Sequence, residues 1–129
     1  MASLTDQARI LAIDDAPLVL ETYKLLFEGR VETASTVAEG LGKLRRDESL
    51  RIVLADLNMK DGGIPLLQTL HRKFPDRLVI VLSGDASAID ERRQRELGIF
   101  RCLEKGDASY DLLEDTIREA TERLKFQRG

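Results

Sequence analysis

Short apolar runs alternate with helical patterns along the chain. Five of these runs predict strands, at Arg9–Ile13, Val31–Ala34, Ile52–Ala55, Leu78–Leu82 and Arg101–Leu103. The first, third and fourth are apolar at successive positions, which is typical of strands that helices cover on both faces. The pattern therefore favours a sheet buried between two layers of helices.

A helical pattern follows each predicted strand, with apolar residues spaced three and four positions apart. These patterns lie at Val19–Phe27, Val37–Leu44, Leu66–Phe74, Ala86–Leu97 and Leu112–Leu124. Thr36 and Glu39 match a capping box at the start of the second helix. The fourth helix is strongly polar and is expected to stop at Gly98.

Alternating strands and helices predict an α/β fold, a doubly wound sheet of five parallel strands flanked by five helices, with right-handed crossovers. A length of 129 residues fits a single domain with one hydrophobic core. We expect residues 1–129 to form that domain, with its core over about 9–124.

Composition and charge exclude several classes of function. The net charge of −3 implies no general attraction to nucleic acid or to an anionic membrane. No apolar run approaches the length of a membrane span, and Met1 to Arg9 lack an apolar signal segment. The single cysteine, Cys102, excludes an internal disulfide and a cysteine-based zinc site. We expect a cytoplasmic protein.

Polar residues that can bind ligands or react stand where the predicted strands end. Asp14 and Asp15 follow the first strand, Asp56 the third, Ser83 the fourth and Lys105 the fifth. Ligands of open parallel sheets bind outside the carboxyl ends of the strands. We therefore expect three carboxylates, a hydroxyl and an ammonium group to converge at one edge.

Three carboxylates at close range repel one another, and a divalent cation removes that repulsion. Mg²⁺ (or Mn²⁺) prefers oxygen ligands and takes one or two carboxylates together with phosphate oxygens. Asp15 and Asp56 are candidates for direct ligands, with Asp14 acting through a water. A carboxylate of the site can then attack a phosphoryl donor, while Lys105 and Ser83 contact its oxygens.

The stretches that carry these residues resemble the receiver domain of two-component response regulators, the CheY-like superfamily. They are Ile10–Pro17, Leu54–Met59, Val79–Gly84 and Leu97–Lys105. The resemblance implies a strand order of 2-1-3-4-5. It also implies Asp56 as phosphoacceptor, Asp14 and Asp15 as the acidic pair, the Asn58 backbone carbonyl as a further Mg²⁺ ligand, Ser83 as the switch hydroxyl and Lys105 as the phosphoryl-binding lysine.

The same resemblance implies a signalling domain and not an enzyme in the ordinary sense. Such a domain catalyses its own phosphorylation and dephosphorylation, takes its phosphoryl group from a sensor histidine kinase, a phosphotransfer protein or a small phosphodonor, and signals by changing conformation. The output partner, or a C-terminal output domain, is not identifiable from the residues. The face of the fourth helix, fifth strand and last helix is the candidate homodimer contact.

Two residues depart from the family pattern, and two more bear on how long the phosphoryl group lasts. Gly106 replaces the proline that usually follows the lysine, so the bond is either a costly cis bond or trans. Cys102 replaces the usual switch aromatic, and we interpret it as a packed small hydrophobe. Asn58 and Asp85 match positions that shorten the phosphoryl lifetime in fast-cycling receivers, and we expect the same effect here.

Two alternatives remain open. One is a receiver-like interaction module that phosphorylation does not regulate; the presence of all five site residues argues against it, whereas Gly106 and Cys102 keep it open. The other is a phosphatase of the haloacid dehalogenase type, which also uses an aspartate nucleophile at a strand end. That class resembles a pattern with a second aspartate two residues after the nucleophile, where this chain has Asn58.

Overall fold

Strands and helices alternate in the computed structural model, which describes residues 8–106 and 109–127. In chain order the elements are β1 (Arg9–Ile13), α1 (Pro17–Leu26), β2 (Val31–Ala34), α2 (Val37–Arg46), β3 (Leu50–Asp56), α3 (Ile64–Lys73), β4 (Leu78–Ser83), α4 (Glu91–Glu96), β5 (Ile99–Glu104) and α5 (Ser109–Gln127), with a 3₁₀ helix at Ala86–Ala88 between β4 and α4.

The five strands form one sheet in the order β2-β1-β3-β4-β5, and every neighbouring pair is parallel. β1 lies inside the sheet, with Ile10 paired to Val31 on one side and to Ile52 on the other. The strand order and the α/β fold class expected from the sequence are confirmed. This order brings the ends of β1, β3, β4 and β5 to one edge.

Alternate residues of the central strands supply two separate cores, one on each face of the sheet. Ile10, Ile52 and Ile80 face α1 and α5, where they pack with residues such as Leu113 and Ile117. Their sequence neighbours, such as Leu11, Val53 and Val81, face α2 and α3. Successive side chains of a strand point to opposite faces, which is why the apolar runs of the sequence are continuous.

Helix starts follow the signals in the sequence. The Thr36 side chain accepts a hydrogen bond from the Glu39 backbone N–H at 3.1 Å, which confirms the predicted cap of α2. Pro17 and Pro65 lie in the first turns of α1 and α3, where a missing backbone N–H leaves no hydrogen bond unmade.

The prediction of one helix over Ala86–Leu97 is wrong, because two aspartates divide that segment. The Asp85 side chain accepts from the Ser87 N–H and caps the 3₁₀ helix, and the Asp90 side chain accepts from the Arg93 N–H and caps α4. Between them, Ile89 is extended and only 3% exposed. The burial of Ile89 in the core and the two side-chain caps, at Asp85 and Asp90, interrupt the helix. As a result α4 has only six residues.

Three strands extend beyond the apolar runs that predicted them. β3 reaches Asp56, β4 reaches Ser83 and β5 runs over Ile99–Glu104, because the backbone pairing continues past the last apolar side chain. Two of the candidate site residues are therefore the last residues of strands. Among the described residues, no helix combines the length and the apolar character that a membrane crossing needs.

Candidate functional site

Four candidate residues meet at the carboxyl edge of the sheet. Asp14 directly follows β1, Asp56 and Ser83 end β3 and β4, and Lys105 directly follows β5. Asp14, Asp56 and Ser83 are at most 4% exposed, and the one other buried polar or charged residue in the described part of the chain is Thr116. Buried polar groups cost free energy unless they are paired. Their concentration at one edge therefore identifies this edge as the candidate functional site.

Asp14, Asp15 and Asp56 form a compact carboxylate cluster. One oxygen from each lies within 4.8 Å of the others, with Asp14 and Asp56 buried and Asp15 exposed. Burial raises the pKa of Asp14, and the charge of Asp56 adds to this, although the Ala16 N–H and Lys105 oppose it. The cluster thus has the repulsion that the sequence predicted and the oxygen ligands that a divalent cation prefers.

Lys105 joins the two buried carboxylates. Its Nζ lies 3.0 Å from Asp56 Oδ1 and 3.3 Å from Asp14 Oδ2. Burial by itself lowers the pKa of Lys105, but the hydrogen bonds and charges of Asp56 and Asp14 outweigh burial and hold that pKa above its ordinary value. Lys105 is therefore a fixed positive charge directly beside Asp56.

One local motif recurs at three strand ends and orients the side chains. The Asp14 carboxylate accepts from the Ala16 N–H at 2.9 Å, and the Asp56 carboxylate accepts from the Asn58 N–H at 3.0 Å. The Ser83 hydroxyl accepts from the Asp85 N–H at 3.1 Å. Each side chain is held by the backbone two positions ahead of it, as in Asx and Ser turns.

The β4 and β5 ends are tied together at the same edge. The Lys105 backbone N–H donates to the Ser83 carbonyl at 2.7 Å, and the Leu57 N–H donates to the Leu82 carbonyl at 2.9 Å. The loops that carry Asp56, Ser83 and Lys105 are thus bonded to one another through the backbone. This fixes the spacing of the three side chains without help from a ligand.

The two residues expected to modulate dephosphorylation flank the site and are both exposed. Asn58 Nδ2 lies next to Gly84, 3.7 Å from the place that a side chain there would occupy. The Asp85 carboxylate accepts from the Ser87 N–H at 2.9 Å and the Ser87 hydroxyl at 2.6 Å, and these bonds lower its pKa. Their effect on a phosphoryl group stays a prediction.

Both departures at the end of β5 have a defined geometry. The Lys105–Gly106 bond is trans, because the described ranges contain no cis peptide bond. Cys102 pairs with Val81 and packs half-buried against the core on the α2 and α3 face. Burial raises the pKa of its thiol, which favours the protonated form and agrees with a packed small hydrophobe.

Sequence reasoning missed one residue beside this site. Tyr23 was expected only as an apolar position of the first helix, yet it lines a cavity that also reaches Lys105 and Gly106. The sequence did contain a signal for Tyr23. It lies on the inward face of α1, two turns after Asp15, and it carries a hydroxyl that packing in an apolar core does not require. A pattern of apolar positions alone assigns it to the core.

Comparison with known proteins identifies the family whose site this is. The model of the response regulator receiver domain matches residues 10–117. A receiver domain from Clostridium thermocellum is 32% identical with a TM-score of 0.81, covering 93% of this chain and 98% of its own. A CheY-like receiver domain protein from Methanospirillum hungatei JF-1 is 29% identical with a TM-score of 0.80, covering 94% and 98%.

A third similar structure is the beryllofluoride-activated NtrC4 receiver domain dimer, at 25% identity and a TM-score of 0.78, covering 91% of this chain and 98% of that one. A search of curated proteins found no significant match.

Proposed function

Because the chain belongs to the response-regulator receiver family, we propose that Asp56 accepts a phosphoryl group with the help of Mg²⁺ and that the domain then signals by changing conformation. The donor is a sensor histidine kinase, a phosphotransfer protein or a small phosphodonor. Receiver domains are signalling domains and not classical enzymes, and membership of the family makes this chain one of them.

One observation carries the proposal: a buried carboxylate at a strand end, Asp56, lies 3.0 Å from an ammonium group and beside two further carboxylates. Phosphoryl transfer asks a protein mainly for positioning and charge neutralisation. Lys105 supplies a fixed positive charge, and the Asn58 N–H orients the Asp56 carboxylate. Both requirements are therefore met at Asp56 more fully than at the exposed Asp15.

The donor set fits Mg²⁺ or Mn²⁺, which when bound neutralises negative charge and holds phosphoryl oxygens. Asp15 and Asp56 would hold the ion directly, with the Asn58 backbone carbonyl as a further ligand. Asp14 would act through a water.

The proposed step is an attack of an Asp56 carboxylate oxygen on phosphorus. The new O–P bond forms as the N–P bond of a phosphohistidine, or the O–P bond of acetyl phosphate, breaks and its electron pair leaves with the imidazole or the acetate. Ser83 Oγ accepts from the Asp85 N–H, so its own O–H is the part that would donate to a phosphoryl oxygen. Water later cleaves the acyl phosphate and restores the carboxylate.

Intact-protein mass spectrometry with acetyl phosphate tests this proposal. We expect the wild-type chain with Mg²⁺ to gain the mass of one phosphoryl group, and we expect that gain to disappear in EDTA and in Asp56→Asn. Asp61→Asn, a neighbouring exposed aspartate in the β3–α3 loop, is the matched control and should retain the gain. A wild-type chain that stays unmodified with every donor would refute the proposal.

We also propose that the phosphoryl group is short-lived. Asn58 and Asp85 lie two positions after Asp56 and Ser83, at the open side of the site, where polar side chains can orient an attacking water. Asn58→Ala and Asp85→Ala should each lengthen the lifetime, measured as loss of the phosphoryl mass after the donor is removed. A wild-type lifetime of many hours in Mg²⁺ buffer would contradict this.

The partners and the assembly are proposals of the same kind. We treat residues 1–129 as one receiver domain, with a core of about 9–124, that acts in the cytoplasm on an output partner or on a C-terminal output domain.

The NtrC4 receiver domain, in its activated state, is a dimer. A homodimer here would use the α4–β5–α5 face, where Arg101 pairs with Glu119 at 2.9 Å, and light scattering before and after phosphorylation tests it.

The half-buried Cys102 favours a second candidate, an interaction module that phosphorylation does not regulate. A cysteine cannot fill the volume of the aromatic ring that usually couples the site to the α4–β5–α5 face, so the link from site to surface is in question. This candidate predicts that Asp56→Asn binds a partner as the wild type does. The phosphoreceiver predicts that only the wild type changes its binding when acetyl phosphate is added.

A further inference from the structure

A partly enclosed cavity of about 110 Å³ lies behind Lys105, on the face of the sheet that α1 and α5 cover. Val19, Leu82 and Leu113 give it an apolar wall, and Lys105 and the phenol-bearing Tyr23 also line it. Gly106 leaves this region open, because a side chain there would have nothing within 4 Å. The cavity is large enough for at least one water, which needs polar partners to stay.

Tyr23 contributes a phenol group to the lining of this cavity. It is only 3% exposed, and its side chain belongs to the core that α1 and α5 cover. Burial raises the pKa of Tyr23, and the negative charges of Asp14 and Asp56 add to this, so the hydroxyl stays neutral and protonated. A hydroxyl in the lining of a cavity that is large enough for a water can take that water as a hydrogen-bond partner.

Lys105 can donate to the same water. An ammonium group carries three N–H donors, and Asp56 and Asp14 accept two of them at 3.0 and 3.3 Å. The loop that follows has Gly106 in a trans bond, and the Lys105 backbone N–H is bonded to the Ser83 carbonyl at 2.7 Å, which places the backbone but not the end of the long side chain. A third hydrogen bond, to a water in the cavity, would restrain the ammonium group further.

We propose that Tyr23 is a positioning residue for Lys105: a water in this cavity accepts a hydrogen bond from Lys105 Nζ and donates one to the Tyr23 hydroxyl oxygen. The water holds the ammonium group between Asp14 and Asp56 and so keeps the site ready for a phosphoryl group. This inference rests on the proposed function, since the consequence of placing Lys105 is faster phosphorylation of Asp56.

A double-mutant cycle tests the link by the initial rate of phosphorylation with acetyl phosphate and Mg²⁺. Tyr23→Phe keeps the ring and removes the hydroxyl, and we expect the rate to fall about fivefold, the effect of one ordinary hydrogen bond. In a Lys105→Met background the same change should alter the rate less than about twofold, because the group that Tyr23 positions is gone. A purely structural role of the hydroxyl would slow both backgrounds equally.

Thr22→Val is the matched control, since it removes a hydroxyl from the neighbouring residue of α1, where the Thr22 hydroxyl donates to the Leu18 carbonyl on the outer face. It should leave the rate unchanged. The inference is overturned when Tyr23→Phe reacts like the wild type, or when its effect is the same with and without Lys105. Thermal melting of each variant separates these results from a loss of folding.

A second measurement decides the inference even if the wild type accepts no phosphoryl group, a result that would refute the proposed function alone. In a crystal structure at about atomic resolution, we expect one water within about 2.7–3.2 Å of both Tyr23 Oη and Lys105 Nζ. In Tyr23→Phe that water should be lost and Lys105 should shift or become disordered. A wild-type structure without the bridging water would overturn the inference.

Discussion

At the scale of single residues, the site depends on where polar groups stand relative to strand ends. The sequence predicted that Asp14, Asp15, Asp56, Ser83 and Lys105 converge, because parallel strands bring their carboxyl ends together. It did not predict that the first, third and fourth of these are almost fully buried. Burial depends on tertiary packing, which no local pattern encodes.

The ion pairs of Lys105 lead to a prediction at the same scale. Lys105→Met removes the charge that faces Asp56 and Asp14 but keeps a similar chain length, so the phosphorylation rate should fall roughly a hundredfold, as for the loss of one preorganised electrostatic group. The rate with acetyl phosphate and Mg²⁺ measures it.

Lys73→Met is the control for the Lys105 variant, because Lys73 is exposed on α3 and lies outside the site. Its rate should match that of the wild type. A Lys105→Met variant that is phosphorylated at the wild-type rate would mean that the ion pair is structural and takes no part in transfer.

At the scale of elements, hydrophobic periodicity predicted the strands and helices correctly wherever the period was long and clear. It missed the division of the segment before β5, where Asp85 and Asp90 each cap a separate short helix. Helix periodicity could not reveal this, since the decisive contact is tertiary: Ile89 is buried against the core between the two caps. The apolar runs also predicted that β3 and β4 end before Asp56 and Ser83. The strands in fact include these residues, because backbone pairing continues through a polar side chain.

Gly98 gives a prediction about the link between α4 and β5. Its φ of +66° lies in the left-handed region, and a side chain there would stand 2.5 Å from His71 Nδ1 of α3. Gly98→Ala should therefore lower the free energy of unfolding by about 1–3 kcal/mol, from backbone strain and crowding together. Urea denaturation measures the change.

Gly42→Ala is the matched control, with the opposite expected sign. Gly42 lies inside α2, and a side chain there would meet only the flexible Arg46 side chain, at 3.5 Å. Alanine should raise stability by roughly 0.5–1 kcal/mol, since glycine is a poor helix residue. Two alanine variants of equal stability would contradict this account of Gly98.

At the scale of the whole molecule, the alternation of strands and helices predicted the α/β class from the residues alone. The strand order 2-1-3-4-5 came from the resemblance to receiver domains, because periodicity does not say which strands are neighbours. The structure confirms both. The order matters for function, because it sets β1 and β3 side by side and so brings Asp14 and Asp15 to Asp56.

Because the carboxylate cluster forms at the carboxyl edge of the folded sheet, we predict that Mg²⁺ stabilises the whole domain. The ion relieves repulsion among Asp14, Asp15 and Asp56 only in the folded chain, so stability should rise by about 1.4 kcal/mol when free Mg²⁺ is ten times its Kd. For a chain of this size the midpoint of thermal unfolding should rise by roughly 3–6 °C.

Asp15→Asn should lose most of that increase, because it removes a proposed direct ligand. Asp115→Asn, on the exposed surface of α5 where Asp115 pairs with Arg118, should keep it. A melting temperature that Mg²⁺ leaves unchanged in the wild type would contradict the assignment of a cation site.

The central claim is that Asp56, and no other carboxylate of the cluster, carries the phosphoryl group. Borohydride reduces an acyl phosphate to an alcohol, so treating the phosphorylated chain with it and sequencing the peptides by mass spectrometry converts the modified aspartate to homoserine. We expect homoserine at position 56 alone, with Mg²⁺ present. Homoserine at position 14 or 15, or at none of the three in a chain that has gained the phosphoryl mass, would contradict it.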